Sequence, residues 1–144
     1  MKRILAILMF AAVFGLIMGS VAASVDLEEH DFDANFNMKV PKNSTFSKTD
    51  SNGFFETAAS YYDPVNKINI SYINDDGVND QIINQTVTKM KEAGGELSKK
   101  GDINQIKSSA INEVVFHKGD NMILMGSPNL DIDTLTAMAE STEF

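Results

Sequence analysis

The feature that most constrains the fold of this chain is a change of hydrophobic period at Gly77. Before Gly77, Ile68, Ile70 and Tyr72 alternate with polar residues, which is the period-two pattern of a half-buried strand. After Gly77 the apolar residues recur at steps of three to five, at Val78, Ile82, Ile83, Val87 and Met90. The chain therefore has to place an amphipathic helix directly after a strand.

Three carboxylates, Asp75, Asp76 and Asp80, cluster around this change of period and raise the question of a calcium loop. If Gly77 were the turn glycine of an EF-hand loop, the first ligand would be Tyr72 and the bidentate acid would be Ile83, and neither residue can serve. Carboxylates at the start of a helix complement its exposed amides and its dipole. We therefore interpret the cluster as the capped start of the helix. Gly94 and Gly95 predict where this helix ends.

Turn signals separate several further period-two runs. The run FNMKVP predicts a strand that ends at Pro41, and turns at Asp50–Gly53 and Asp63–Asn66 divide the next region into three strands of an antiparallel meander. Lys118-Gly119-Asp120 predicts a hairpin turn between two strands, Ala110–His117 and Asn121–Gly126. The second of these contains the continuous apolar run MILM, so we expect it to be central and covered on both faces.

A second helix is predicted behind Pro128, with Asn129, Asp131 or Asp133 as its cap. Its apolar stripe would comprise Ile132, Leu135, Met138 and Ala139. Hairpin strands with two helices predict an α+β fold, an antiparallel sheet of about five to six strands with two packed helices. The predicted organisation is a leader over residues 1–23, an acidic tether over 24–34 and a single domain over 35–144.

The first 23 residues predict export. Lys2 and Arg3 precede an uncharged run from Ile4 to Met18, and small residues follow at Ser20, Ala22 and Ala23. This is the layout of a secretory signal peptide, although an uncleaved anchor helix would also fit the length of the run. In both cases the rest of the chain is expected outside the cell, either secreted or held at the outer face of the cytoplasmic membrane.

Composition excludes several classes of function. The chain has no cysteine, which excludes a disulfide scaffold, a thiol nucleophile and a thiolate metal site. Of its 12 basic residues, Lys2 and Arg3 lie in the leader, so 10 basic residues face 20 acidic ones in the exported part, which lacks arginine. Such an acidic domain is not suited to bind nucleic acid or an anionic membrane. We expect membrane contact only through the N-terminal segment, and no cofactor.

Two sets of surface residues are candidates for modification or binding. Asn43, Asn69 and Asn84 each begin an N-x-[ST] sequon, which makes them candidate glycan acceptors in an exported chain. Phe54 and Tyr62 lie in an aromatic run and are candidates for a surface platform that stacks on a sugar or a partner.

His117 is the candidate for catalysis that the alternative hypothesis requires. The nearest acids in sequence are Glu113 and Asp120, and a small acid- or metal-dependent hydrolase would need His117 to converge with at least two carboxylates in a pocket. No nucleophile elbow or phosphate-binding glycine loop is present. We therefore assign no catalytic, cofactor-binding or metal-binding residue.

The order of elements resembles known proteins over nearly all of Phe36–Phe144. The run FNMKVPKNSTF, the meander, the amphipathic helix, the hairpin VVFHKGDNMILMGS and the closing helix LTAMAEST resemble a group of small exported proteins of methanogenic archaea with no assigned activity. They also resemble the PsbP/Mog1-like fold. The resemblance implies a binding or assembly protein without catalysis and supplies no site residues.

The leading hypothesis is therefore a non-enzymatic extracytoplasmic domain that binds an extracellular protein or an envelope component. A structural envelope component decorated by glycans is a further alternative.

Overall fold

The computed structural model of the protein describes residues 25–50, 55 and 57–144. The strands of this part are β1 (Leu27–Phe32), β2 (Phe36–Pro41), β3 (Ser47–Asp50), β4 (Thr57–Asp63), β5 (Ile68–Asn74), β6 (Glu96–Lys100), β7 (Ile103–Lys107), β8 (Asn112–Lys118) and β9 (Asn121–Ser127). The helices are α1 (Asp80–Glu92) and α2 (Ile132–Glu140). Neither of these two helices is long and apolar enough to span a bilayer.

The α+β class, the antiparallel sheet and the two packed helices are confirmed. The sheet has seven strands in the order β3-β4-β5-β9-β8-β7-β6, so the expected five to six was too low. The two edge strands, SKTD and ELSKK, are exposed along their whole length and lack the apolar alternation that marks a strand. Short, polar, lysine-bearing edges also discourage edge-to-edge association.

The prediction of an acidic tether over residues 24–34 is wrong for most of that segment. Leu27–Phe32 forms β1 and pairs antiparallel with β2. The acids Glu28 and Asp31 are exposed, but Phe32 is only 1% exposed and its ring stacks on Phe36 at a centroid distance of 4.6 Å. The aromatic contact orders a stretch whose own composition does not predict structure.

One face of the sheet, which we call the closed face, is covered by the β1–β2 ribbon and α2. The core between them includes Met38 and Val40 of the ribbon, Ile70 and Met125 of the sheet, and Leu135 of α2. Asp131 caps α2 by accepting a 2.7 Å hydrogen bond from the backbone N–H of Thr134. Of the three candidate caps, Asp131 is therefore the one used, and the predicted apolar stripe of this helix is confirmed.

The other face, which we call the open face, carries α1. All five residues of the predicted stripe, Val78, Ile82, Ile83, Val87 and Met90, are buried in a second core. Asn79 is the residue that caps the helix, through a 3.1 Å hydrogen bond from the backbone N–H of Ile82, and Asp80 lies in the first turn. Of the acid cluster, Asp80 is confirmed at the helix start, whereas Asp75 accepts a 2.8 Å hydrogen bond from the backbone N–H of Gly77 in the turn before the helix. Helix α1 is followed by Gly94, which has a positive φ of 104°, as expected for a glycine that ends a helix.

The hairpin and the central strand are also confirmed. β8 and β9 pair in register around the turn at Gly119, which has a φ of 60°. β9 lies in the middle of the sheet. Its residues Ile123 and Met125 enter one core while Met122 and Leu124 enter the other, which explains the continuous apolar run.

Candidate functional site

His117 lies at the end of β8 and uses both ring nitrogens. Its Nε2 is 2.7 Å from Asp80 Oδ1 and its Nδ1 is 3.1 Å from the carbonyl oxygen of Gly119. Both partners are acceptors, so the doubly protonated imidazolium satisfies them best. Burial lowers the pKa of His117, but its hydrogen bonds to Asp80 and Gly119 outweigh the burial and raise the pKa overall. The pair joins the β8–β9 turn to the start of α1.

The carboxylates nearest to His117 in sequence do not converge on it. Glu113 and His117 share the open face, but Val115 lies between them on the strand, and four residues of strand span about 13 Å. Among the described residues no group of three histidine, aspartate or glutamate side chains is placed to hold a metal ion. The constellation that a hydrolase requires is therefore not assembled around His117 in the described part of the chain.

Other reactive groups serve as structural hydrogen-bond partners. The Ser127 hydroxyl donates to the carbonyl of Asn66 at 2.7 Å and accepts from the backbone N–H of Asn129 and Leu130. Asp63 is fully buried. Its burial would raise its pKa, but hydrogen bonds led by that from the Asn66 side chain lower the pKa overall. These groups hold the predicted turn at Asp63–Asn66 in place.

The predicted acceptor asparagines lie in three different settings. Asn43 is exposed in the loop after β2, where its Oδ1 accepts a 3.1 Å hydrogen bond from Asn66 Nδ2. Asn84 is exposed on the outer side of α1, and Asn69 is half-buried in β5. Of the predicted platform, Tyr62 is half-buried in β4, and Phe54 lies outside the described residues.

The structure brings two of these predicted residues together. Tyr62 pairs with Asn69 across β4 and β5, and the next pair on the open face is Ser60 with Ser71. We call these four residues the polar patch. They form a rectangle of about 4.8 Å by about 6.8 Å, set by the spacing between strands and by alternate residues along a strand.

Glu113 belongs to the same cross-strand row as Tyr62 and Asn69. Asn69 pairs with Gly126 and Gly126 pairs with Glu113. A Cβ at Gly126 would lie 2.8 Å from Glu113 Cγ, so the Glu113 stem occupies the space that the glycine leaves over β9. Only 7% of Glu113 is exposed, and this burial raises the pKa of its carboxyl to about 7.

The polar patch and Glu113 have unused hydrogen-bonding capacity. Throughout the described part of the chain, no side chain donates to or accepts from the hydroxyls of Ser60, Ser71 and Tyr62, the amide of Asn69 or the carboxylate of Glu113. Within that part, the one fully enclosed side-chain oxygen or nitrogen without a partner is Oε1 of Gln85. Ser60, Tyr62 and Asn69 are half-buried, and Ser71 and Glu113 are each 7% exposed, so the first three are the groups most open to a ligand.

The charge around the patch is low. The two cross-strand rows that contain it run from Ser47 to Leu97 and from Thr49 to Lys99. The basic residue of these rows, Lys99, is on the opposite edge strand, β6, and the acidic residue is Glu113. The site therefore combines several neutral donors and acceptors with one carboxyl group, and it holds no assembled nucleophile and base.

Sequence reasoning located parts of this site but not the whole. The period-two pattern placed Asn69 and Ser71 on the face opposite Ile68, Ile70 and Tyr72, and burial of those three in the closed-face core confirms it. From the sequence, Glu113 is a candidate only as a partner of His117, because its neighbours across the sheet depend on strand pairing. A glutamate in an otherwise apolar strand was the signal available in the sequence.

No family model, curated protein or solved structure matches the chain.

Proposed function

We propose that the protein is an exported, non-enzymatic binding domain of the cell envelope, and that it binds through the polar patch on the open face. The observation that carries the proposal is the contrast in hydrogen bonding. The residues suited to catalysis, His117, Ser127 and Asp63, are engaged in structural contacts, whereas the polar patch is not. Polar groups that lack protein partners are suited to recognition, and those of the patch range from half-buried at Ser60, Tyr62 and Asn69 to 7% exposed at Ser71.

The export part of the proposal rests on the sequence. Lys2 and Arg3, the apolar run and the small residues at 20–23 support a signal peptide or an anchor. The absence of cysteine from the chain suits a domain whose stability comes from packing alone. We also propose that the fold is a PsbP/Mog1-like variant, to which the β1–β2 ribbon is added on the closed face.

Two measurements on the protein from its own host test this proposal. Edman sequencing and intact mass should give either a chain that starts near Ala23 outside the cell or a full-length chain in the membrane fraction. A full-length chain free in the cytosol would contradict export. The same masses show whether Asn43, Asn69 or Asn84 carries a glycan.

The binding part is tested by co-sedimentation with the insoluble envelope fraction of the host. We expect the wild-type protein to sediment with this fraction and an Asn69→Ala variant to sediment less. Asn84→Ala is the matched control, since it also removes an asparagine and a sequon but lies on exposed α1. Equal sedimentation of both variants and the wild type would exclude the patch as the binding surface.

A further inference from the structure

We infer that the polar patch together with Glu113 is a binding site for a neutral carbohydrate chain, an inference that rests on the proposed binding function and specifies its ligand class. Three observations select this class: the kind of hydrogen-bonding groups, the charge of the surface and the shape of the surface.

The hydrogen-bonding groups match hydroxyls. The hydroxyls of Ser60, Ser71 and Tyr62 each donate and accept, and the amide of Asn69 does both through separate atoms. None of them is used by the described protein. A sugar presents several hydroxyls, each also a donor and an acceptor, so one ring can satisfy several of these groups at once. An apolar ligand would leave them unpaired, which is unfavourable.

The charge argues against an anionic ligand. Phosphate and carboxylate ligands are bound by arginine or lysine, and the chain has no arginine after Arg3. Lys99, the basic residue in the two rows of the patch, lies on β6, four strands away from β5. The isolated carboxyl of Glu113 instead calls for a ligand that donates a hydrogen bond, which a sugar hydroxyl does.

The shape suits a ring or a chain of rings. The patch lies on the two adjacent strands β4 and β5, one strand in from the β3 edge of the sheet, so its floor is a regular pleated surface. The half-buried ring of Tyr62 supplies an aromatic body beside the polar groups, and aromatic rings pair an apolar surface with a polar tip. Sugars have the same two-sided character, with polar edges and apolar C–H faces.

The test is an NMR titration of the ¹⁵N-labelled protein in the form that the host retains, with detergent if the leader is present. The probes are neutral hexasaccharides of glucose in α and β linkage, of mannose and of N-acetylglucosamine, with putrescine and inorganic phosphate for comparison. We expect at least one hexasaccharide to shift the amides of Ser60, Tyr62, Asn69, Ser71 and Glu113, while phosphate leaves them unchanged.

Matched variants connect the shifts to the patch. Asn69→Ala should weaken binding of the same hexasaccharide about five- to tenfold, as expected for the loss of one or two hydrogen bonds, and Asn84→Ala should bind like the wild type. Tyr62→Ala should weaken binding more than Tyr62→Phe, which keeps the ring. If Asn69→Ala does not fold, Ser60→Ala at the half-buried neighbouring position provides the same comparison.

Two outcomes would overturn the inference. One is the absence of patch shifts with every hexasaccharide. The other is binding of putrescine at the patch that Glu113→Gln abolishes, which would identify an amine site. Either outcome combined with patch-dependent sedimentation on the envelope leaves the binding function in place with a different ligand. Loss of the sedimentation as well would contradict the proposed function itself.

Discussion

The two faces of the seven-stranded sheet differ although they are built from the same strands. On the closed face, one row across the sheet contains Tyr61, Ile70, Met125 and Val114, all of them in the core. On the open face the adjacent row contains Tyr62, Asn69, Gly126 and Glu113. A shift of a single residue along each strand therefore separates the most apolar part of the molecule from its polar patch.

This difference separates stability from recognition. The closed face has an aromatic cluster in which Phe32 contacts both Phe36 and Tyr61, at 4.6 and 4.9 Å between ring centroids. The open face needs only the part under α1 for its apolar core, so residues beyond that core can be polar at little cost. The clearest exception is Glu113, whose buried carboxyl costs stability that the closed face must offset.

The largest expected effect is on the closed face. Ile70→Ala should lower the free energy of unfolding by about 2–5 kcal/mol, because Ile70 is 0% exposed and truncation leaves a cavity. Asn69→Ala, the adjacent residue on the open face, should lower it by less than about 1 kcal/mol, since its side chain has no hydrogen-bond partner to lose. Urea unfolding of both variants measures the difference. Equal losses would mean that the open face also carries stability.

The second prediction concerns the pH dependence of Glu113. The pKa of its carboxyl is raised from the ordinary 4.5 to about 7, so the folded protein binds more protons than the unfolded chain and stability falls as pH rises between these values. Glu113→Gln should remove that fall. At pH 9 the variant should be up to about 3 kcal/mol more stable than the wild type, and at pH 4 the two should agree.

The control for this prediction is Glu96→Gln, in which the same change is made at an exposed position of edge strand β6. Urea unfolding at both pH values should show no pH-dependent gain for this variant. The prediction is wrong if the difference in free energy of unfolding between the wild type and Glu113→Gln stays constant from pH 4.5 to 8. The Glu113 carboxyl would then be solvated or paired.

The third prediction concerns the gap over β9. Gly126→Ala places a Cβ 2.8 Å from Glu113 Cγ and 3.0 Å from the backbone oxygen of Asn112, so Glu113 must move. We expect a loss of about 1–3 kcal/mol and a lower pKa for a Glu113 carboxyl that is pushed toward solvent. Urea unfolding and carbon-detected NMR titration of the glutamate carboxyl measure the two effects. An unchanged pKa would show that Glu113 does not lie over the glycine.

The smallest effect is expected at the His117–Asp80 pair. The pKa of His117 is raised in the folded protein. Its contribution to the free energy of unfolding is therefore complete below pH 6.5 and disappears as pH rises through the folded-state pKa. The pKa of Asp80 is lowered, chiefly by the hydrogen bond from His117, so its contribution disappears as pH falls through that lowered value. Asp80→Asn should lower the pKa of His117 in an NMR titration, whereas Asp133→Asn on α2 should leave it unchanged. Because the Asp80 side chain is exposed to solvent, added salt should weaken the attraction between the two charges.

The elements that sequence reasoning found have strong local patterns. The stripe from Val78 to Met90 and the turn at Gly119 each follow from the spacing of neighbouring residues, because helix and hairpin geometry depend on a few consecutive dihedral angles. The strand β1 was missed because its order comes from the packing of Phe32 on Phe36 and Tyr61. The sequence does not predict the two edge strands because they bury no face and so lack an alternating apolar pattern. They are strands only because each pairs with one neighbour.

The candidate site was predictable only in pieces. The sequence indicates Asn69 and Tyr62 for separate reasons, Asn69 as a glycan acceptor and Tyr62 as a platform residue. Alternation along β5 was enough to place Asn69 opposite Ile70. It could not show that Tyr62 is its cross-strand neighbour, or that Glu113 reaches the same row through Gly126.

The amino-acid sequence by itself determined which residues share a face within each strand and helix, since side-chain direction follows from local backbone geometry. The tertiary structure decided which strands are neighbours and in which register, because pairing depends on burying apolar surface contributed by distant parts of the chain. The polar patch belongs to the second category. Its residues come from two strands and Glu113 comes from a third. The pairing of β5 with β9, which buries apolar residues on both faces of the sheet, brings them into one row.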